Sequence, residues 1–147
     1  DSIRSSFRSL EFYPPNPDFM FEVSLEILED EQIISMGTSD GKTRNYTRFA
    51  YAGFELAGME NRVTLLRPMD DESDDVLFLP FNDLTNGEET YGGGRYLDLE
   101  IPDDNKLTID FNLAYNPYCV YSNDYSCPLP PAENRLAIAV TAGEKNF

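Results

Sequence analysis

The sequence predicts an all-β fold, a single antiparallel β-sandwich or barrel of about eight strands over residues 1–147, on three observations. Strict alternation of apolar and polar residues recurs along the chain, as where Phe19, Phe21, Val23, Leu25 and Ile27 interleave with Glu22, Ser24 and Glu26. Turn-forming clusters separate such runs at roughly ten-residue spacing. Helical spacing occurs in one place, where Ile3, Phe7 and Leu10 follow a capping Ser2 and predict a short N-terminal helix. A chain of this length buries about 70% of its unfolded surface, so it needs neither metal nor disulfide merely to fold.

The elements follow in order. The three prolines of "FYPPNPDF" end the helix, and the alternating run 19–27 is a half-buried strand that Asp30 and Glu31 turn. "GTSDGK" is a turn, "NYTRFAYAGFEL" a strand rich in β-favouring aromatics, and "AGMEN" a tight connection into "RVTLLRP" that makes a hairpin. The acidic run at 70–75 is a solvated loop, without the alternating ligands and glycine of a calcium loop. "VLFLPF" is apolar enough for burial on both faces. "RYLDLEI" and "KLTIDFN" flank "PDDN" as a second hairpin, in which Leu107, Ile109 and Phe111 share one face and Thr108, Asp110 and Asn112 the other. "RLAIAVTA" supplies a last strand with Leu136, Ile138 and Val140 inward.

Composition excludes several functions. With 27 acidic against 11 basic residues the net charge is −16, which repels nucleic acid and anionic membrane surfaces. Dispersed acid with scarce lysine fits a salt-adapted protein as well as an ordinary acidic one. There is no histidine, which removes Ser-His-Asp and Cys-His nucleophile systems and His-ligated metals. No metal or cofactor motif is present, and no apolar run is long enough to span a bilayer. The reading is a soluble protein, cytoplasmic slightly ahead of exported with a removed leader.

Within this frame a few residues stand out. Between Pro68 and Asn134 only Arg95 and Lys106 are basic amid fifteen acidic residues. Arg95, just after the glycines of "YGGGR", therefore either pairs with Asp98, Asp110 or Glu89 or grips an anionic ligand. Asp110 and Asn112 face solvent or line a cleft with Tyr91, Tyr96 and Tyr115. Cys119 and Cys127 lie within "AYNPYCVYSNDYSCPLPP", residues 114–131, whose tyrosines and prolines suit an ordered lid. They form a disulfide or remain two buried thiols, depending on the compartment.

The stretches "LEFYPPNPDF", "GEETYGGGRYLDL", "LTIDFNLAYNPYC" and "SCPLPPAENRLAIAVTAGEK" together resemble the prokaryotic domain of unknown function family 1684 over nearly the whole chain. The resemblance implies no reaction. It does single out Tyr91, Gly92, Gly94, Arg95, Asp110, Asn112, Tyr115, Asn116, Pro117, Cys119, Cys127, Pro128, Pro130, Pro131, Glu133 and Asn134. The leading expectation is a binding module whose pocket lies between the Gly-rich turn and the Tyr/Pro/Cys segment. A small polar or anionic ligand would there meet Tyr91, Arg95, Asp110, Asn112, Tyr115, Asn116 and Asn134. The alternatives are a histidine-free hydrolase or isomerase using Asp110 or Glu133 as acid/base, and a structural or interaction domain in which these residues form an internal salt bridge and lid.

Overall fold

The protein is described by a computed structural model covering residues 11–69, 76–117 and 127–145. Six strands, β1 (Met20–Gly37), β2 (Thr43–Leu56), β3 (Met59–Pro68), β4 (Val76–Phe81), β5 (Arg95–Glu100) and β6 (Lys106–Asp110), form one antiparallel sheet in the order β5-β4-β3-β2-β1-β6. Past β6 the chain makes a 3-10 turn, Phe111–Leu113. Tyr115 then pairs with Tyr96 on the outer edge of β5, the two exchanging main-chain hydrogen bonds of 2.9 and 3.0 Å. That contact draws the edges together into a nearly closed barrel, which removes most of the exposed edge an open sheet would present.

The all-β expectation holds, with six strands among the described residues and four local differences. The predicted helix over 2–10 lies outside the described residues, and the first helical turn among the described residues is a 3-10 turn at Pro17–Phe19, capped by the Asn16 side chain. Asp30 and Glu31 do not end the first strand: β1 runs on to Gly37 and shifts its register against β2 between Ile27 and Gln32. A bulge absorbs extra residues without reversing the chain. β5 and β6 are not a hairpin but lie at opposite edges of the sheet, because β1 offers Met20–Ser24 as the partner of β6. The run "RLAIAVTA" is extended, with Leu136, Ile138, Val140 and Ala142 buried, yet it joins no ladder beyond one bridge from Arg135 to Asn82.

The β2–β3 hairpin turns through Ala57 and Gly58, both at positive φ (55° and 77°), the handedness that matches strand twist. Every second residue of the strands points inward: Ala50, Ala52 and Phe54, then Val63 and Leu65, then Leu77, Leu79 and Phe81, then Leu97 and Leu99. Phe54 and Phe81 meet Phe111 at 5.5 and 5.2 Å between ring centroids, so aromatic side chains fill the interior. A second cluster of Met36, Tyr46, Leu66, Phe78 and Tyr96 sits on the outer face. The segment from Cys127 to Pro131 crosses it, held by the Tyr96 hydroxyl, which donates to the Pro128 carbonyl at 2.5 Å. Burial pushes that hydroxyl's pKa upward.

Candidate functional site

The strand alternation that turns Leu97 and Leu99 inward also turns Arg95 inward, at the mouth of the barrel, and Arg95 is fully buried. Its guanidinium donates to the carbonyls of Val140 (2.9 Å), Ala142 and Glu144 (3.2 Å) and lies 3.5 Å from the Asp83 carboxylate, above the Phe81 ring. Asp83 in turn accepts from the Val140 N–H at 2.6 Å, from the Thr85 hydroxyl and from the Asn86 amide. Burial pulls the Arg95 pKa down while Asp83 opposes the shift. Arg95 and Asp83 thus supply the hydrogen bonds that a neighbouring strand would give to residues 140–144. The arginine does have a carboxylate partner, but it is Asp83 and none of Asp98, Asp110 and Glu89.

Asn134 is likewise fully buried. β3 and β4 pair at only one position, Leu66 with Phe78, and Pro80 has no N–H with which to continue. The Asn134 carboxamide fills the gap: its Oδ1 accepts from Thr64 N–H at 2.7 Å, and its Nδ2 donates to the carbonyls of Thr64 (2.9 Å) and Pro80 (3.0 Å). One side-chain amide there mimics a peptide unit of a strand. Beside it Glu133 receives two bonds from Arg48 Nε (3.2 and 3.1 Å) and one from Nη2 (2.9 Å), besides the Thr64 hydroxyl. The Arg48 hydrogen bonds hold the Glu133 carboxyl below its ordinary pKa, opposite to what a general acid near neutral pH requires.

The remaining expected residues are dispersed. Asp110 accepts from the backbone N–H and the side-chain amide of Asn112. Asn112 then clasps the main chain of Asn16 through both amide atoms. The Tyr115 hydroxyl donates to Asp98 at 2.7 Å on the outer face. The Asn116 N–H donates to Glu144 Oε1, and its Nδ2 reaches the Lys145 carbonyl. The Tyr91 ring lies over Gly93, where a Cβ would come within 2.5 Å of it. Gly94, at φ 94°, passes so close to Phe81 and Pro130 that a Cβ would meet the Phe81 carbonyl at 2.6 Å; no other residue fits. Cys127 is disulfide-bonded, while Cys119 lies outside the described residues. Asp110, Glu133 and Arg95 are therefore engaged in three separate internal networks.

A hollow does open beside the Gly-rich turn, against the chain just after the proline run. It measures about 550 Å³ and is lined by Asn82, Asp83, Leu84, Gly92, Arg135 and Leu136 among others. Its cation is Arg135. Among the described residues Arg44, Arg62 and Arg67 lie over the rings of Tyr46, Tyr51 and Phe49, Arg48 holds Glu133, and Arg95 is buried. Arg135 alone of these arginines has neither a ring nor a carboxylate partner. Sequence reasoning missed it because Arg135 heads an apparent strand, where an arginine is an unremarkable flank. The signal was the same acid excess that drew attention to Arg95. Among the described residues no group of three or more acidic or cysteine side chains could hold a metal ion, and no helix is long and apolar enough to cross a membrane.

Residues 5–145 match the model of a family described as "Protein of unknown function (DUF1684)". Among solved structures the chain is similar to the solution NMR structure of the uncharacterized protein from gene locus rrnAC0354 of Haloarcula marismortui. The identity is 42% and the TM-score 0.75, over 92% of this chain and 75% of that one. No curated protein matches the chain.

Proposed function

The chain belongs to the DUF1684 family, whose description assigns it no activity, and from that premise we propose that it is a binding module taking a small anionic ligand in the hollow beside Arg135. One observation carries the reading: in a chain of net charge −16, a single described arginine is left without a partner, and it lines a concavity. A guanidinium offers a fork of donors matched to carboxylate or phosphate. The Asn82 side chain, whose Nδ2 holds Asn86 at 3.0 Å, is fixed alongside to orient a bound group. Leu84, 62% exposed, and Leu136 give the ligand an apolar side to lie against. The hollow lies where the Gly-rich turn and the proline-rich segment meet, but its cation is Arg135 and not Arg95. The enzymatic alternative has less support, because Glu133 is held ionised by Arg48 and Asp110 caps a turn.

Thermal shift with small carboxylates and phosphates tests this. A ligand at about a hundred times its Kd stabilises the folded chain by about 2.7 kcal/mol. The expected result is a raised melting temperature in the wild type and none in Arg135→Ala, whose own stability changes by less than about 0.5 kcal/mol because the side chain is exposed and unpaired. A ligand that stabilises both proteins equally, or the absence of any stabilising anion, removes the proposal.

A further inference from the structure

The outer edge of β1 near Gly37 is half-built. Beside it the chain from Cys127 to Leu129 runs antiparallel: the Leu129 N–H donates to the Gly37 carbonyl at 2.9 Å, the Ser39 N–H donates to the Cys127 carbonyl at 2.9 Å, and Thr38 lies opposite Pro128. Those bonds fix which residues of β1 face this edge. Gly37 directs its carbonyl there, so by strand alternation Ser35 and Ile33 direct their N–H and C=O groups the same way, while Met36, Ile34 and Gln32 bond to β2. In this ladder the next residue due to donate to the Ser35 carbonyl is Pro131, which has no N–H. The chain leaves the edge there, and the main-chain groups of Ser35 and Ile33 on that side have no partner among the described residues.

Next to this open stretch lies a groove of about 530 Å³, lined by Ile34, Met36, Leu129, Pro130, Pro131 and Glu133. Ile33 and Leu129 are 62% and 42% exposed. The other end of the edge carries Glu29 and Asp30, both exposed. An edge that combines unpaired main-chain groups, an apolar trough and flanking acids is complementary to an extended, basic segment.

We propose that this edge of β1 is a docking site for an extended peptide with alternating basic and apolar residues, which adds as a strand along Ile33–Ser35 and continues the ladder that Pro131 interrupts. Main-chain hydrogen bonds hold the segment, an apolar side chain enters the groove, and Lys or Arg residues face Glu29 and Asp30. A second copy of this chain would bring another net charge of −16 to the same edge, which disfavours self-pairing.

The test is fluorescence anisotropy with a labelled, alternating lysine–valine peptide of about eight residues. Binding is expected at about 50 mM salt and should weaken at least about tenfold at about 500 mM. An otherwise identical peptide with glutamate for lysine is expected not to bind. Ile33→Pro deletes only an edge-facing donor and leaves the β1–β2 ladder, so it should weaken binding at least about tenfold without a change in fold. Should that variant fail to fold, Glu29→Lys with Asp30→Lys replaces it and should weaken binding of the lysine peptide at least about tenfold. In the wild type, the Ile33 and Ser35 amides should become protected from hydrogen exchange when the peptide is added. Equal binding of wild type and variant, no binding of the lysine peptide, or unchanged exchange at Ile33 and Ser35 overturns the proposal. So does a concentration-dependent dimer that Ile33→Pro abolishes, which would assign the edge to a second copy. None of these readouts involves Arg135.

Discussion

Arg95 and Arg135 differ in what surrounds them more than in chemistry. Removing Arg95 leaves the Asp83 carboxylate buried without its cation and strips donors from the carbonyls of Val140, Ala142 and Glu144. Arg95→Ala should therefore lower stability by about 3–5 kcal/mol in urea titration. Asp83→Ala should cost a comparable amount, and the double variant less than the sum, since both changes dismantle one network. Near-additive losses would show that the two side chains act independently. The need for a carboxylate partner was legible from the charge count, but the identity of the partner was not. Asp98 stands an odd number of residues from Arg95 on the same strand and so faces outward, where it meets Tyr115. Asp83 follows β4 in a turn, where no period indicates direction. Residue type told that Arg95 meets an anion, of the chain or of a ligand, whereas only the fold tells that its field is closed and that of Arg135 is open.

Strands were legible by more than one signal: β2 by its aromatics, β4 by its apolar run, β5 and β6 by alternation, and β3 as the return of a hairpin fall close to where these place them, while the alternating run 19–27 opens a β1 that runs on to Gly37. What alternation does not encode is partnership. β5 and β6 read as a hairpin because the turn between them is short, yet each is drawn to a different neighbour. The run after Arg135 alternates as a strand does, but past the main-chain bonds of Leu136 and Ile138 to Asn82 and Leu84 its groups at Val140 and Ala142 bond to the side chains of Arg95 and Asp83. Asn134 makes the same substitution between β3 and β4. Asn134→Ala should cost about 3 kcal/mol, as it strands buried main-chain groups of Thr64 and Pro80, and it should speed hydrogen exchange at the Thr64 amide while leaving the Tyr96 amide protected. Glu133 anchors the same turn from outside. Because its folded pKa lies below the unfolded one, its contribution is present above the ordinary glutamate pKa and is lost as pH falls through the folded value. Glu133→Gln should accordingly flatten the acid limb of a melting-temperature profile. A limb as steep as the wild type's would mean that the Arg48 contact contributes nothing.

For the molecule as a whole, charge and topology dominate. With no histidine in the chain, melting temperature should be nearly level between about pH 6 and pH 8. A net charge of −16 should make it rise with KCl as repulsion is screened; loss of the fold at low salt would mark a protein adapted to brine, and indifference to salt an ordinary acidic one. The order of synthesis adds a further consequence. Arg95 is made some 45 residues before Val140, the first of the carbonyls it must satisfy. On a ribosome, then, the guanidinium leaves the exit tunnel with Asp83 already made but none of its carbonyl partners, and Tyr115 reaches Tyr96 before the mouth can be sealed. The nascent chain should gain its mechanical resistance late and abruptly, once residues 140–144 emerge, so that force on a stalled chain would jump over a few codons instead of climbing strand by strand.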